Sequence, residues 1–459
     1  MTVDGIEVQR AVVCGAGYSG QALARTLRRL GVAVTVTDSR EASHEVVDGA
    51  QRVLADLGAA LAPGSHDAAD APGVDLVVVS PGVPLGDPAL ERARARGVPV
   101  WGEIEFASRL TPARLIGITG TKGKSTTAAL VSLMLDAPLT NSEAYSSRGV
   151  PLVDFVVENP HADPIVVEVT SYQLEGIETF RPWVATLLNI AEDHTDRHPT
   201  RDEYIAAKRR IFENQRAGDR SVLNLDDEAV AATAPLLATT VLGVSQRVEP
   251  AFGVWAAGDG VLYRLPAELG GDEGLVAPWS VVSEALCVQQ PSLLAAVATA
   301  LAAGASLDAV RGVLASFDGL PHRMERVREW HELTFINDSK ATNPLATSNA
   351  IVQSPRPVVL IAGGQTKGIA LDPLVEPFRK LRGMVLIGQD APLLADVAAQ
   401  AGQTNVRRAA SLEQALQDAI GLAQPGDWVV LSPCGASFDM FRNFAHRGEC
   451  FRELVQALP

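Results

Sequence analysis

Short apolar runs that end in small or polar residues recur along the whole chain. The first covers residues 8–14 and leads into a glycine-rich turn, which is followed by a helical pattern at 21–30. Strands that alternate with helices in this way predict an α/β protein whose parallel sheets are covered by helices. The other apolar runs predict strands at 33–37, 75–79, 115–119, 164–169, 184–189, 221–224, 333–337, 358–362, 384–387 and 428–431.

The pattern restarts twice, near residues 110 and 320, which predicts three successive α/β domains. We expect them to cover residues 1–109, 110–319 and 320–459. A chain of 459 residues suits this number, because a domain commonly contains roughly 150 residues. The section 239–281 is rich in glycine and short β-type runs, and the pattern assigns no role to it. Ligands of open α/β sheets collect at the carboxyl ends of the strands, so we expect the chemistry there.

The amino-acid composition argues against some classes of function for this chain. The chain has 54 acidic and 39 basic residues, and its net charge is −15. Because phosphate attraction needs a basic face, this balance argues against a nucleic-acid or membrane-surface binder. We find no signal-peptide pattern and no apolar run of membrane-spanning length, so we expect a cytoplasmic protein. The cysteines lie far apart without metal-type spacing, which suits a reducing compartment: Cys14, Cys287, Cys434 and Cys450.

The sharpest motif is a glycine- and lysine-rich turn at 117–127, between a predicted strand and a predicted helix. Its glycines let backbone N–H groups turn towards phosphate oxygens, and the helix N-terminus adds a positive dipole. Lys124 adds charge, and Ser125 or Thr126 can hold Mg²⁺. The spacing is G-x-x-G-K-S rather than a strict Walker A motif, and the alternative is a turn without a ligand. The predicted ATP-binding residues of this loop are Gly120, Thr121, Lys122, Gly123, Lys124, Ser125 and Thr126.

A second glycine turn follows the first predicted strand. Gly15, Gly17 and Gly20 have the spacing of a dinucleotide-binding loop, and Asp38 follows the next predicted strand. This pattern fits the NAD of an oxidoreductase, the nucleotide part of a substrate, or no ligand at all if the glycines serve packing alone. Because an ATP-type loop occurs further along the chain, a substrate nucleotide is as good an occupant as NAD.

Three further positions in the central section carry candidate chemistry. Glu168 ends a hydrophobic strand, where a carboxylate is costly to desolvate unless it meets a cation such as Mg²⁺. His194 lies in a stretch at 189–196 that is dense in metal-binding and proton-transfer groups, although a structural histidine is an equally good interpretation. Lys208 lies on a predicted helix at 204–210, where the pattern alone favours an ordinary solvated basic face.

Taken in chain order, these central motifs resemble those of the Mur ligases: the phosphate loop, Glu168 with Ser-Tyr-Gln-Leu-Glu at 171–175, the 189–194 stretch and Lys208. The stretches that resemble the D-glutamate-adding member of this family are 80–82, 317–323, 337–343 and 431–444. The resemblance spans nearly the whole chain. It implies a Rossmann-like N-terminal domain, a central P-loop ATPase-like domain and a Rossmann-like C-terminal domain.

The resemblance implies an ATP-dependent amide ligation. A substrate carboxylate attacks the γ-phosphate of ATP to give an acyl phosphate and ADP, and the amine of the incoming amino acid then displaces phosphate. The implied substrates are UDP-N-acetylmuramoyl-L-alanine and D-glutamate, and the implied cofactors are ATP and Mg²⁺ or Mn²⁺. Charge accumulates at both steps, so the site should be rich in cations. We expect no nucleic-acid or membrane partner, and we expect the protein to act as a monomer.

The resemblance also assigns roles to individual residues. Lys124 would contact the β- and γ-phosphates, and Ser125 or Thr126 a magnesium ion. Glu168 would bind magnesium and His194 a second metal. Lys208 would become a carbamate, an anionic oxygen ligand in place of a repelling ammonium. Residues that match ATP contacts of the C-terminal domain are Arg323 and Asp338. Residues that match D-glutamate contacts are Lys340, Thr342, Lys367, Ser437 and Phe444.

The first glycine loop matches contacts to the uridine-diphosphate end of the muramoyl substrate, and this match displaces the NAD interpretation. The residues concerned are Gly15, Gly17, Ser19, Gly20, Asp38, Ser39, Ser80, Pro81 and Gly82.

The sequence departs from the family pattern in three places. A family Gly-Asn-Ile-Gly stretch before Pro-Leu corresponds here to 146–152, with Ser147 at the Asn position. A family stretch that contacts adenine, His-Asn-x-x-Asn, is replaced at 289–293, and Lys122 stands where many members have Asn. These departures leave two alternatives open: a divergent Mur-type ligase with another amino acid or acceptor, and an inactive nucleotide-binding paralogue.

Overall fold

The computed structural model describes residues 1–141, 149–191, 197–287, 289–352, 354–366 and 369–459. These residues form two compact units. The first unit takes in the described residues up to 278 together with Pro291–Val313, and the second takes in Trp279–Gln290 and Leu314–Pro459.

The N-terminal part of the first unit is built around a five-stranded parallel sheet. Its strands and the preceding short hairpin are β1 (Thr2–Val3), β2 (Ile6–Glu7), β3 (Arg10–Cys14), β4 (Ala33–Asp38), β5 (Ala60–Pro63), β6 (Leu76–Val79) and β7 (Val100–Gly102). Its helices are α1 (Tyr18–Arg29), α2 (Glu45–Asp56), α3 (Pro88–Ala95) and α4 (Glu103–Arg109). The strand order is β5-β4-β3-β6-β7, so the chain leaves β3 to one side and returns to its other side at β6. Such a switch point opens a crevice at the carboxyl ends of the strands.

The rest of the first unit is built around a nine-stranded sheet of order β16-β15-β14-β13-β12-β11-β8-β10-β9. Its strands are β8 (Leu115–Thr119), β9 (Leu139–Thr140), β10 (Ile165–Glu168), β11 (Pro182–Leu187), β12 (Arg220–Asn224), β13 (Thr240–Ser245), β14 (Gly253–Ala257), β15 (Gly260–Arg264) and β16 (Glu273–Pro278). The helices along residues 124–316 are α5 (Lys124–Leu135), α6 (Leu152–Glu158), α7 (Ser171–Glu175), α8 (Arg201–Arg209), α9 (Glu228–Ala231), α10 (Glu284–Cys287), α11 (Gln290–Ala302) and α12 (Leu307–Ser316).

The section 239–281, to which the sequence pattern gave no role, supplies one end of this nine-stranded sheet. Strands β14, β15 and β16 pair antiparallel, whereas the remaining pairs of the sheet are parallel. This end of the sheet thus differs from the parallel arrangement that alternating strands and helices predict for the rest of the chain. Only two residues, Gly258 and Asp259, join β14 to β15. A connection this short permits a hairpin but no crossover to a parallel neighbour.

The second unit contains a six-stranded sheet of order β17-β18-β22-β19-β20-β21. Its strands are β17 (Glu325–Trp330), β18 (Leu333–Asn337), β19 (Val358–Gly363), β20 (Gly383–Ile387), β21 (Val406–Arg408) and β22 (Trp428–Cys434). Its further helices are α13 (Pro344–Val352), α14 (Val375–Phe378), α15 (Ala391–Gln400), α16 (Leu412–Leu422) and α17 (Phe444–Gln456). Strand β17 pairs antiparallel with β18, and the other pairs are parallel.

The strands predicted from apolar runs are present, and those at 115–119 and 333–337 have the predicted limits. Buried aliphatic side chains on both faces of these strands form the cores. No helix in the described part of the chain is long and apolar enough to cross a bilayer. The domain limits at 109/110 and 319/320 stay predictions.

A buried carboxyl group begins helix α4. Glu103 is 2% exposed and accepts a hydrogen bond of 3.0 Å from Nε2 of Gln173 on α7. Burial raises the pKa of Glu103 to about 7, although the hydrogen bond from Gln173 opposes this effect. The folded chain thus holds this proton more tightly than the unfolded chain, so the stability it contributes is present at low pH and is lost as pH rises towards about 7.

Glu103→Gln is expected to remove this loss, which is worth roughly 3 kcal/mol of unfolding free energy between pH 5 and pH 8. Urea unfolding across that range is the measurement. Glu105→Gln is the control, because hydrogen bonds from the N–H groups of 178–180 and from Thr179 outweigh burial and lower the pKa of Glu105. We expect Glu105→Gln to have a lower free energy of unfolding than the wild type at every pH tested. Parallel curves for the wild type and Glu103→Gln would contradict the prediction.

Candidate active site

The crevice of the N-terminal sheet contains a cavity of about 480 Å³. It lies beyond the carboxyl ends of β3, β4 and β6, where the strand order reverses. Of the nine residues predicted there from the sequence, all but Gly20 line it. The lining residues are Gly15, Gly17, Tyr18, Ser19, Asp38, Ser39, Arg40, His66, Ser80, Pro81, Gly82, Val83 and Pro84.

Gly20 and Gly15 shape the cavity through close backbone packing. A Cβ at Gly20 would lie 1.7 Å from the carbonyl oxygen of Gly15, so only glycine lets α1 begin against this loop. Gly15 has a φ of +99°, and a Cβ there would lie 2.9 Å from Cβ of Ser80. Both positions therefore need glycine for steric reasons. Gly20 is a packing residue behind the cavity wall.

Asp38 organises the rim of this cavity. Its Oδ2 accepts a hydrogen bond of 2.8 Å from the N–H of Ala16, and the guanidinium of Arg40 binds both of its carboxylate oxygens at 2.7 Å. Burial would raise the pKa of Asp38, but these hydrogen bonds outweigh burial and lower it to about 2. Asp38 is therefore an anion that holds the first glycine loop and Arg40 together.

The predicted phosphate loop connects β8 to α5 with two glycines in the left-handed region. Gly120 has a φ of +157° and Gly123 a φ of +83°. Asn189 fixes the loop, because its Oδ1 accepts the N–H of Lys122 at 2.8 Å while its Nδ2 donates to the carbonyl of Lys122 at 3.0 Å. Ser125 and Thr126 are buried in the first turn of α5. This is the backbone arrangement of a phosphate cradle at a helix N-terminus.

Two lysine side chains meet at one carbonyl oxygen of this loop. Nζ of Lys124 lies 3.0 Å from the carbonyl oxygen of Gly120, and Nζ of Lys208 lies 2.9 Å from the same atom. Lys208 is 2% exposed and its Nζ lies 4.6 Å from the ring centre of Tyr204. The interpretation of Lys208 as part of a solvated face is therefore wrong. Helix α8 directs this lysine into the interior, and a helical pattern alone does not reveal that.

Glu168 and His194 were the other predicted groups at this site. Glu168 ends β10 and pairs in register with Ile118 of β8. It therefore lies beside the carboxyl end of β8, where the phosphate loop begins. His194 lies outside the described residues, as does all of 192–196. Within the described ranges, no three His, Cys, Asp or Glu side chains form a group suited to a metal ion.

The predicted ATP contact Asp338 is buried in the second unit just after β18. It accepts hydrogen bonds from Oγ of Ser432 at 2.8 Å and from the N–H of Met324 at 3.2 Å. Burial raises the pKa of Asp338 to about 7, although these hydrogen bonds and the charge of Arg323 oppose the rise. The role of Arg323 and Asp338 as ATP contacts stays a prediction.

The predicted D-glutamate residues cluster at the carboxyl ends of β18 and β22. Nζ of Lys340 lies 4.3 Å from the ring centre of Phe444, the first residue of α17. Ser437 is buried in the loop that follows β22. The N–H of Thr342 donates to the carbonyl of Lys340 at 2.9 Å, which ties Thr342 to the same turn. Lys367 lies outside the described residues.

Two residues of the phosphate-loop region were missed by sequence reasoning. Asn141 follows β9 in the left-handed region, with a φ of +56°; its Oδ1 accepts the N–H of Leu152 at 2.7 Å, and its buried Nδ2 has no hydrogen-bond partner among the described residues. Ser292 lies beside Gly123, whose Cβ, if present, would be 2.7 Å from Oγ of Ser292. An Asn directly after a strand was the available signal for Asn141. Ser147, which stands at the Asn position of the family Gly-Asn-Ile-Gly stretch, lies outside the described residues.

Comparison with known proteins agrees with this architecture. Three family models match in chain order: the MurD-like N-terminal domain of Mur ligases at residues 9–102, the Mur ligase middle domain at 118–250, and the glutamate ligase domain of Mur ligases at 322–435. The chain belongs to the Mur ligase family. This confirms the predicted family and the predicted order of three α/β domains.

Within the family, the chain is similar to enzymes named UDP-N-acetylmuramoylalanine–D-glutamate ligase. It is 40% identical over 454 residues to that of Geobacter metallireducens, covering 99% of this chain and 98% of the relative. It is 38% identical over 451 residues to that of Pelotomaculum thermopropionicum, covering 98% of each. The MurF ligase of Thermotoga maritima, solved in complex with ADP, shares the fold with a TM-score of 0.56 at 14% identity, covering 92% of this chain and 95% of that one.

Proposed function

We propose that this chain joins D-glutamate to UDP-N-acetylmuramoyl-L-alanine in an ATP-dependent amide ligation of peptidoglycan precursor synthesis. The observation that carries the proposal is full-length similarity, at 38–40% identity, to enzymes named for that reaction. The convergence of Lys124 and Lys208 on the phosphate loop supports it, because phosphoryl transfer to a carboxylate needs positioned cations.

In this proposal the N-terminal cavity takes the uridine-diphosphate end of the muramoyl substrate. Support comes from its glycine-lined wall at a helix N-terminus, where backbone N–H groups and the helix dipole suit a diphosphate. The Nδ2 of Asn141, which has no hydrogen-bond partner among the described residues, would donate to a further polar group of this substrate. Asn141 would then take the place of the Asn in the family Gly-Asn-Ile-Gly stretch, at whose position this chain has Ser147. This argues against an inactive paralogue.

The phosphate loop would hold the triphosphate of ATP, with Lys124 against its β- and γ-phosphates. Ser125 or Thr126 and Glu168 would bind Mg²⁺ or Mn²⁺ through their side-chain oxygens, and His194 would hold a second metal. The ion would neutralise phosphate charge when bound. Arg323 and Asp338 are further proposed ATP contacts. Departure of the γ-phosphoryl group to the substrate carboxylate gives the acyl phosphate and ADP.

We propose that the protein acts in the cytoplasm and as a monomer. The cysteines Cys14, Cys287, Cys434 and Cys450 are free thiols, which suits a reducing compartment.

The experiment that tests the function is ADP release by the full chain with ATP, Mg²⁺ and UDP-N-acetylmuramoyl-L-alanine, across a panel of amino acids. We expect release that depends on D-glutamate. Faster release with any other amino acid would identify a divergent Mur-type ligase instead. No amine-dependent release, together with retained nucleotide binding, would identify a binding protein.

Lys340→Met is expected to raise the KM for D-glutamate by roughly tenfold or more, because one carboxylate of this dicarboxylate would lose a charged hydrogen-bond donor. The KM for ATP should stay unchanged. Lys380→Met, a change at an exposed lysine of the same unit, is the matched control. Equal KM values for D-glutamate in the two variants would refute the role of Lys340.

A further inference from the structure

A very short helix follows Glu168, the proposed metal ligand. Strand β10 ends at Glu168, Thr170 is the N-cap of α7, and α7 has only five residues, Ser171–Glu175. The pairing with β8 reaches one residue past Glu168, because the N–H of Val169 donates to the carbonyl of Ile118 at 2.9 Å. A helix of this length makes few hydrogen bonds of its own, so its position depends on its cap and its packing. The backbone on the carboxyl side of Glu168 is therefore only as well fixed as the cap at Thr170.

The cap of α7 is a reciprocal set of hydrogen bonds between Thr170 and Gln173. Oε1 of Gln173 accepts the N–H of Thr170 at 2.9 Å and its hydroxyl at 3.0 Å, and Oγ1 of Thr170 accepts the N–H of Gln173 at 3.3 Å. This arrangement is a capping box. It exists only while the carboxamide of Gln173 turns its oxygen towards Thr170, because the amino group in that place would meet another donor. The cap therefore needs a partner that holds the amino group on the other side.

Glu103 is that partner. Its Oε2 accepts Nε2 of Gln173 at 3.0 Å, and the two side chains are 2% and 8% exposed. Because both groups are buried, removal of the acceptor would leave the amino group without a hydrogen bond. Glu103 is itself held, since the preceding Gly102 packs on Gly176 directly after α7; a Cβ at Gly102 would lie 3.2 Å from the carbonyl oxygen of Gly176. The start of α4 thus contacts α7 both at its cap and at its end.

We propose that Glu103 is a positioning residue for the metal ligand Glu168. By holding the carboxamide of Gln173, it keeps the cap of α7 formed and fixes the backbone from which the Glu168 carboxylate reaches the ion. A ligand that is already held in place loses less conformational freedom when the ion binds, so the ion is bound more tightly. The inference rests on the proposed function, because it concerns the metal that accompanies ATP at that site.

The test is titration calorimetry of the full chain with ATP, once in EDTA and once in Mn²⁺. We expect Glu103→Met to bind ATP about tenfold more weakly than the wild type in Mn²⁺ and within about threefold of it in EDTA, because only the metal-dependent part of the affinity uses Glu168. Glu103→Gln retains an acceptor oxygen for Nε2 of Gln173, so it should stay within about threefold of the wild type in both solutions. Glu91→Met, at an exposed glutamate of α3, is the matched control and should behave as the wild type.

Gln173→Met removes the carboxamide itself and leaves Glu103 in place. It should show the same metal-dependent loss, which tests the cap even if Glu103→Met folds poorly. In the double variant, Glu103→Met should add less than about threefold to the loss caused by Gln173→Met, because both changes act through the same cap.

An equal effect of Mn²⁺ on ATP affinity in the wild type and in Glu103→Met would overturn the inference. An equal loss of affinity in Mn²⁺ and in EDTA would also overturn it and indicate a packing role, as would additive losses in the double variant. D-Glutamate-dependent turnover is measured in parallel. Wild-type turnover without the metal-dependent loss in Glu103→Met removes this inference alone, whereas the expected loss in a chain without turnover removes the proposed function and keeps Glu103 as a positioning residue.

Discussion

Lys124→Ala is expected to lower the rate of D-glutamate-dependent ADP release by about 10³-fold or more. Negative charge develops on the γ-phosphoryl group during transfer, and Lys124 is the proposed cation beside it. The ammonium of Lys124 donates to the carbonyls of Gly120 and Thr121, but the two Asn189 contacts that fix the loop do not involve it. The loop should therefore keep its shape, and the loss should fall on the rate more than on the KM for ATP.

Lys122→Ala is the matched control in the same loop. The Asn189 contacts of Lys122 use its backbone N–H and carbonyl, so they survive the change. We expect less than about tenfold loss, because the helix N-terminus and Lys124 still act on the phosphates. Calorimetry with uridine 5′-diphosphate checks that both variants are folded. Near-normal turnover in Lys124→Ala would exclude the catalytic role of this lysine.

Lys208→Ala is expected to lower turnover by about 10²–10³-fold and to recover part of it when acetate or formate is added. Two ammonium groups at the Gly120 carbonyl repel each other, and burial makes this repulsion strong. A carbamate on Lys208 would replace one of these cations with an anionic oxygen ligand beside Lys124 and the proposed metal. A small carboxylate in the space left by the side chain would imitate that ligand.

Chloride at the same ionic strength is the control for a salt effect, and methylammonium is the control for the opposite charge. Lys208→Met, which restores most of the volume, separates the loss of the ligand from the loss of packing. Rescue by methylammonium and not by carboxylates would show that the ammonium form acts, and would contradict the carbamate proposal. The ligase proposal does not depend on this outcome.

Much of the fold follows from short-range patterns. Apolar runs predicted strands such as β8 and β18 with their observed limits, because a strand buried on both faces needs an unbroken apolar segment. The phosphate loop was equally evident, since its glycine and lysine positions meet a local steric and electrostatic requirement. The residues predicted around the first glycine loop, except Gly20, also line one cavity, because parallel strands bring their carboxyl ends to one edge.

Properties that depend on distant parts of the chain were not available from these patterns. The antiparallel strands β14–β16 and the positions of Asn141 and Glu103 depend on which segments pack together. The burial of Lys208 is the clearest case: its helix looks ordinary in sequence, yet packing places its ammonium on the Gly120 carbonyl. Local sequence thus determined the elements and the two glycine loops, because steric and hydrophobic periods act over a few residues. Only the tertiary structure decided which side chains reach those loops, because burial and electrostatic contact depend on residues far apart in the chain.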